Sequence, residues 1–347
     1  MRNGILVSGN WVIDQVKVID CYPDEERLVN VLAESSSNGG SAYNVVKALA
    51  KLKAEFPLSG LGLVGNDERG VRVIEDCRSL NIDVAQLRQT DKASTSYTDV
   101  MTVKGSGKRT FFHQRGANAL LDIEHFDFGS TTAKIFHLGY LLLLDQLDKV
   151  DADGSTRASK VLKTALEYGF ITSADIVSER SDKFTQVIPS SLPFLDYFFV
   201  NEFEAEMLTG IKTVEPGGYV LTEQCYQAAC KIITMGVRKW VILHFPVGAI
   251  AVSAQGEKLY QASVKLPQQT IAGAVGGGDA FAAGVLMGVH QHWTMEQCLK
   301  LAVCSAAACL TETTSSDGIL PADDCLLLAD MYGFRDTFED LTTNLTK

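Results

Sequence analysis

Residues Ala272–Gly284 read AGAVGGGDAFAAG, with three consecutive glycines, Gly276 to Gly278, standing directly before Asp279. Glycine loses more backbone freedom on folding than any other residue, so such a run needs a reason for bare backbone. The apolar stretch that follows, AFAAGVLMGV, predicts a buried helix starting near Asp279 or Ala280. At a helix N-terminus the first amides lack intrahelical partners, and the helix dipole adds partial positive charge. Glycines let an anion approach those amides, and phosphate is the usual guest of such a nest. An acid beside the nest repels a bound anion and so needs its own task. Taking a proton from an attacking hydroxyl is one such task, and capping the helix is another.

The elements around this stretch alternate. GILVSG (4–9), GLGLVG (60–65), IFHLGYLL, FITSADIV, YFFVN and WVILHF read as strands. Segments 41–52, 70–80, 155–168, 182–190, 202–209 and 222–236 read as helices, and 249–254 with 257–264 as a hairpin. Strand and helix in turn predict an α/β fold: a doubly wound, mostly parallel sheet flanked by helices. Residues 11–35 and 92–115 break the rhythm. Both are strand-like with polar faces, and KGSGKR closes a hairpin in the second. The expected organisation is a main domain of 1–10, 36–91 and 116–347, with 11–35 and 92–115 forming a small β-sheet lid.

The composition narrows the function classes. The 347 residues are 46% hydrophobic and 21% charged, and 31 basic against 42 acidic residues give a net charge of −11. An acidic chain without a dense basic block does not suit nucleic acid. The nearest approach to one, Lys104–Arg109, reads as a solvated hairpin tip. No run is long and apolar enough for a membrane helix, and the N-terminus lacks the marks of a signal peptide. The eight cysteines form no C-x-x-C pair and no zinc-ligand spacing, so they read as reduced thiols of a cytoplasmic protein.

Gly60, Gly62 and Gly65 spell G-x-G-x-x-G, the dinucleotide-binding fingerprint. That fingerprint must follow a strand and open a helix, whereas these glycines lie inside an apolar strand-like run. No G-x-x-x-x-G-K-[ST] is present, which removes a P-loop kinase.

GGGDAFAAG resembles the GAGDAF-x-AG signature of PfkB-type sugar kinases, the ribokinase-like superfamily. Gly39-Gly40-x-x-x-Asn44 is similar to the family's GG-x-x-x-N segment, and Gly62 to Gly70 to its G-x-VG-x-D-x-x-G segment. Arg115-Gly-Ala-Asn118 resembles its second substrate loop, Asn201-Glu-Phe-Glu204 its N-x-x-E motif, and Gly248-Ala249 its nucleotide-side strand. The matches run in order over about residues 4–330.

The resemblance implies an ATP-dependent kinase acting on a hydroxyl of a sugar or sugar acid. It implies Asp279 as general base and the amides of Gly276, Gly277 and Gly278 as anion hole. Asn10, Asp14, Gly39, Gly40, Asn44 and Arg115 would line the substrate pocket. Gly248 would face the nucleotide, and Asn201 and Glu204 would organise Mg²⁺ through water. A homodimer through the lid is expected, because the sheet edges there are exposed. Asp175 and Arg180 are candidates for substrate contact. Two alternatives remain open, a nucleoside kinase of the same fold and a non-catalytic sugar or nucleotide sensor. A nucleoside would want pocket aromatics, for which Trp11, Tyr43 and Phe112 are candidates. A phosphosugar would want cations, for which Lys104, Lys108, Arg109 and Arg115 are candidates. One departure stands out. Gly273 and Ala274 replace the Asp and Thr that help many relatives build a monovalent-cation site, so K⁺ activation through those ligands is not expected.

Overall fold

The computed structural model describes residues 2–335 apart from Gly107 and Arg180. The candidate Arg180 and one residue of the hairpin turn therefore lie outside the described residues. The chain opens with β1 (Ile5–Ser8), β2 (Val12–Ile19), β3 (Val31–Gly39), α1 (Ser41–Lys51), β4 (Leu58–Gly65), α2 (Glu68–Ser79) and β5 (Asp83–Thr90). It continues through β6 (Ser96–Val103), β7 (Arg109–Gln114), β8 (Ile135–Leu141), α3 (Arg157–Glu167), β9 (Ile171–Ile176), the single turn α4 (Phe184–Val187), β10 (Tyr197–Asn201), α5 (Glu202–Thr209) and α6 (Thr222–Thr234). The last third holds β11 (Trp240–Phe245), β12 (Gly248–Ser253), β13 (Lys258–Ala262), α7 (Gly277–His290), α8 (Met295–Cys309) and α9 (Ala322–Tyr332).

Nine strands form one sheet in the order β13-β12-β11-β10-β9-β8-β1-β4-β5. Neighbours from β11 through to β5 are parallel, and β12 and β13 join antiparallel at one edge. Helices cover both faces, which is why the central strands read as unbroken apolar runs. Successive side chains of a strand point to opposite faces, so Ile5 joins one core cluster with Val45, Phe281 and Leu301. Leu6 joins the other with Phe136, Val161 and Phe198. This is the doubly wound α/β fold that the alternating pattern predicts. β5 went unmarked in the sequence because an edge strand, DVAQLRQT, has little apolar signal. α2 starts at Glu68 rather than Gly70, because Asp67 caps it by accepting from the Gly70 amide at 2.8 Å.

A second sheet of four strands runs β3-β2-β6-β7. β3 continues to Gly39, past the expected boundary at residue 35, because Val12 pairs with Gly39 and Asp14 with Ser37. The chain enters and leaves this sheet beside Trp11, whose backbone is held at both its N–H and its carbonyl by the Asn118 side-chain amide, 3.1 Å each.

The glycines of the discarded dinucleotide fingerprint have a packing role. A Cβ on Gly60 would stand 2.6 Å from Trp11 Cη2, and one on Gly62 would stand 2.4 Å from Trp11 Nε1. The fully buried indole lies across β4 and donates to the Leu61 carbonyl at 2.9 Å. Gly284 and Gly288 act similarly in α7. Cβ atoms there would come within 2.7 Å of Ala302 Cα and 2.5 Å of Cys298 Sγ, so α7 meets the α8 backbone directly at Gly284. Among the described residues no helix is long and apolar enough to cross a membrane.

Candidate active site

α7 begins at Gly277, earlier than the Asp279 or Ala280 start read from the sequence. Gly276 is its cap, with φ at 77°, and a Cβ there would lie 2.3 Å from the Ser315 carbonyl oxygen. Only glycine accepts both constraints. Asp279 is thus the third helical residue, and its carboxylate caps nothing. It turns inward, 4% exposed, where Oδ2 accepts from Asn44 Nδ2 at 2.8 Å and from the Tyr140 hydroxyl at 3.2 Å. Burial and then the nearby Asp175 carboxylate push its pKa up to about 7, against the opposing hydrogen bonds from Asn44 and Tyr140. A carboxyl poised near neutrality can accept a proton at physiological pH.

The amides of Gly276, Gly277 and Gly278 have no hydrogen-bond partner among the described residues. They stand at the helix end where partial positive charge accumulates. Gly277 and Gly278 line a cavity of about 300 Å³ together with Asn201, His244, Gly248 and Phe281. The His244 ring lies against Gly278, 3.2 Å from where a Cβ would be, and burial lowers its pKa to about 4, leaving a neutral imidazole. A larger depression of about 650 Å³ runs past Asp182, Glu202, Phe203 and Glu206, and neither Asp279 nor the three glycines line it.

Asn201 and Glu204 bond to each other as a capping box at the start of α5. Asn201 Oδ1 accepts from the Glu204 amide at 2.8 Å, and Glu204 Oε2 accepts from the Asn201 amide at 2.8 Å. Glu204 Oε1 also accepts from Asn201 Nδ2 and the Ser178 hydroxyl. Glu204 is buried, and desolvation pushes its pKa up to about 8.

β2 brings Asp14 near enough to Asp279 for its charge to add to the upward push on that carboxyl. Asp14 bonds Thr98, and burial pushes its pKa up to about 7. Thr98 Oγ1 in turn meets His113 Nδ1 at 3.0 Å. Gly39 makes room for Asp14, since a Cβ there would fall 2.3 Å from its Oδ1. Gly40, with φ at 79°, caps α1, and a Cβ on it would strike the Asn10 carbonyl oxygen at 2.5 Å. Asn10 is fully buried with no partner for Oδ1 among the described residues. Arg115 is bound to Asp145 at 2.8 Å and lies 3.7 Å from Glu179, so acids already engage its charge. Asp175 accepts from the Ser41 hydroxyl at 2.6 Å and from the Tyr140 amide at 2.5 Å.

The catalytic-looking side chains sit at carboxyl ends of parallel strands: Asn10 after β1, Tyr140 in β8, Asp175 in β9, Asn201 in β10 and His244 in β11. That is where doubly wound sheets bind ligands. The sequence pattern of the pfkB family carbohydrate kinases matches residues 8–323.

The chain belongs to the pfkB family of carbohydrate kinases.

The kinase is 24% identical to the ribokinase of Arabidopsis thaliana over 312 residues, 88% of this chain and 76% of that protein. It is 22% identical to adenosine kinase 2 of the same plant over 305 residues, 84% of this chain and 82% of that one. Its fold matches the structure of Arabidopsis thaliana ribokinase complexed with ribose and ATP, with a TM-score of 0.77 and 22% identity, over 94% of this chain and 99% of that one. Members of this family are phosphotransferases, and so is this kinase.

Sequence reasoning missed Tyr140, Ser41, His244 and the Asn38 amide that holds Asn44 at 2.7 Å. Their position at strand ends was the available signal. Of the aromatic candidates, Trp11 and Tyr43 are buried in the core, Tyr43 donating to Asp76 at 2.5 Å. Phe112 lies on the face away from Asp14. Asp14 pairs with Thr98, Thr98 with His113 and Val100 with Phe111, so Phe111 shares the face of Asp14 and is 58% exposed.

Proposed function

We propose that this kinase transfers the γ-phosphoryl group of ATP to a hydroxyl of a sugar or sugar acid, with Asp279 as general base. The observation that carries this reading is one turn of helix. It holds a buried carboxyl with a pKa near neutrality and, directly before it, three amides without partners at a helix N-terminus. In the transfer the acceptor oxygen bonds phosphorus and the bond from phosphorus to the bridging oxygen breaks. The hydroxyl proton passes to an Asp279 oxygen. Charge growing on the phosphoryl oxygens meets the Gly276–Gly278 amides, which are aligned before reaction begins.

The 300 Å³ cavity beside Gly248 and Gly278 suits the nucleotide. The oxygen-rich pair Asn201 and Glu204 suits Mg²⁺ held through water, since both Glu204 oxygens are acceptors already engaged by protein donors. Bound there, Mg²⁺ would neutralise phosphate charge. Asn10 Oδ1, Asp14 and His113 Nε2, which also lacks a partner among the described residues, are positions for acceptor hydroxyls. The four-stranded sheet serves as lid and excludes water, a competing acceptor. Its edge strand β3 exposes Val31 and Leu32, which supports pairing with a second copy of the chain. The exposed Phe111 on the face of Asp14 favours a second reading, a nucleoside whose base stacks there.

The test is ADP release from Mg-ATP with hexoses, pentoses, keto-deoxy sugar acids and nucleosides, with Asp279→Asn in parallel. Turnover with one class, lost in the variant, is the expected result. Equal turnover in variant and wild type would remove Asp279 from the role given it.

A further inference from the structure

The family pattern ends at residue 323, near the start of α9, yet the chain that follows α9 returns to the cavity beside Gly278. Val264 and Phe334 form an antiparallel bridge. Around it the Lys265 amide donates to the Gly333 carbonyl at 2.9 Å, and the Arg335 amide to the Ser263 carbonyl at 2.8 Å. This clasp brings the half-buried Arg335 side chain to the wall of the cavity. Arg335 thus adds to the cavity from outside the part of the chain that the family pattern covers.

The cavity has a direction. Its polar lining residues come in strand order: Asn201 closes β10, His244 lies in β11, Gly248 opens β12 and Ser263 follows β13. His244 stands against Gly278, at the anion hole. Ser263 lies two strands further out, which is about 10 Å at the usual strand spacing. Arg335 is fixed at that outer end, where its Nε donates to Ser263 Oγ at 3.1 Å. A nucleotide whose γ-phosphate reaches the anion hole carries its base towards Arg335. Val264, Leu266, Ile271, Val303 and Ala307 give the cavity the apolar walls that a flat base needs.

Arginine donates hydrogen bonds and accepts none. The Ser263 bond sets the plane of the guanidinium and leaves both Nη groups without a partner among the described residues. No acid pairs with Arg335 among the described residues. Two donors side by side match two adjacent acceptors. Guanine presents O6 and N7 in that arrangement, whereas adenine sets an amino donor beside its N7.

We propose that Arg335 is a specificity-determining residue that reads the base of the phosphoryl donor, and that it makes GTP a donor at least as good as ATP. The inference rests on the kinase reading above. Arg335 makes and breaks no bond in the transfer. Its Nη groups donate to O6 and N7 of the base while the phosphates lie at the other end of the cavity.

The experiment is titration calorimetry of GMP-PNP and AMP-PNP, each with Mg²⁺, against wild type, Arg335→Gln and Arg335→Lys. Wild type should bind GMP-PNP at least as tightly as AMP-PNP. Glutamine pairs with N6 and N7 of adenine, so Arg335→Gln should lower the affinity ratio of GMP-PNP to AMP-PNP by roughly 5- to 150-fold. Arg335→Lys keeps the charge without the fork, and its ratio should fall between the two. Each ratio is taken within one protein, so a loss of folded material cancels. A ratio that stays the same in Arg335→Gln, whether both analogues weaken equally or neither does, would overturn the assignment to the base. If wild type binds neither analogue, the kinase reading falls and Arg335 with it. If wild type binds AMP-PNP well and GMP-PNP poorly, only the role of Arg335 falls.

Discussion

The side-chain amide of Asn44 is held between two partners: its Nδ2 donates to Asp279 Oδ2 at 2.8 Å, and its Oδ1 accepts from Asn38 Nδ2 at 2.7 Å. Asn38 is fixed in turn by the Ser315 and Ser316 hydroxyls. The line from the Ser316 hydroxyl through Asn38 and Asn44 ends on Asp279 Oδ2, which Tyr140 also bonds, and so leaves Oδ1 for an incoming proton. Asn44, expected as a substrate ligand, also orients the proposed base.

The Asn44 hydrogen bond works against the burial that raises the pKa of Asp279. Removing it in Asn44→Leu should move the midpoint of the kcat/KM–pH profile upward from about 7. The maximal rate should fall by roughly 10- to 100-fold through lost positioning. A profile with an unmoved midpoint would show that Asn44 does not tune the base.

Asp279 is ionised with difficulty in the fold, its pKa rising from 3.8 to about 7. Between those values the folded protein keeps a proton that the unfolded chain releases. Wild type therefore loses stability as pH rises through that window, and the loss is complete above about 7. Asp279→Asn cannot ionise. Its melting temperature relative to wild type should climb from pH 4 to 7 and then level off. Parallel melting curves for the two proteins across that range would refute the buried-proton assignment.

The glycines of the nest are not equivalent. Gly276→Ala must force a left-handed residue and a Cβ onto the Ser315 carbonyl, whereas the nearest atom to a Cβ on Gly277 is Leu310 Cδ2 at 3.8 Å. Gly276→Ala should cost roughly 1–3 kcal/mol of stability and most of the turnover. Gly277→Ala should keep its melting temperature and most of its rate. Denaturant melts with steady-state kinetics on both variants decide the matter.

Gly60→Ala should push the Trp11 indole out of its slot and cost about 1–3 kcal/mol by overpacking. The tryptophan emission should shift, and no nicotinamide cofactor should bind to wild type or variant. Binding of NAD to wild type would revive the fingerprint reading.

The alternation of strands and helices was legible because parallel strands buried on both faces must be apolar throughout. Edge elements were less so: β5 carries polar residues to solvent, and the end of β3 is hidden in the polar stretch before Gly39. The nest and its acid were readable because glycine runs have few other uses. Tyr140 was not, since a tyrosine closing an apolar strand looks like core. Its approach to Asp279 depends on a backbone turn at φ 53° that residue type does not announce.

Gly284 lies against the backbone of Ala302 and Gly288 against the Cys298 sulfur, so α7 and α8 sit close together. Helices in such contact have little room to slide, so the turn bearing Asp279 is mounted on a closely packed pair. Val16, Val100, Phe111 and His113 belong to the other sheet and share one face of it. On the proposed lid reading, a library at Phe111 and His113 should change acceptor preference and leave the packing of α7 against α8 as it is.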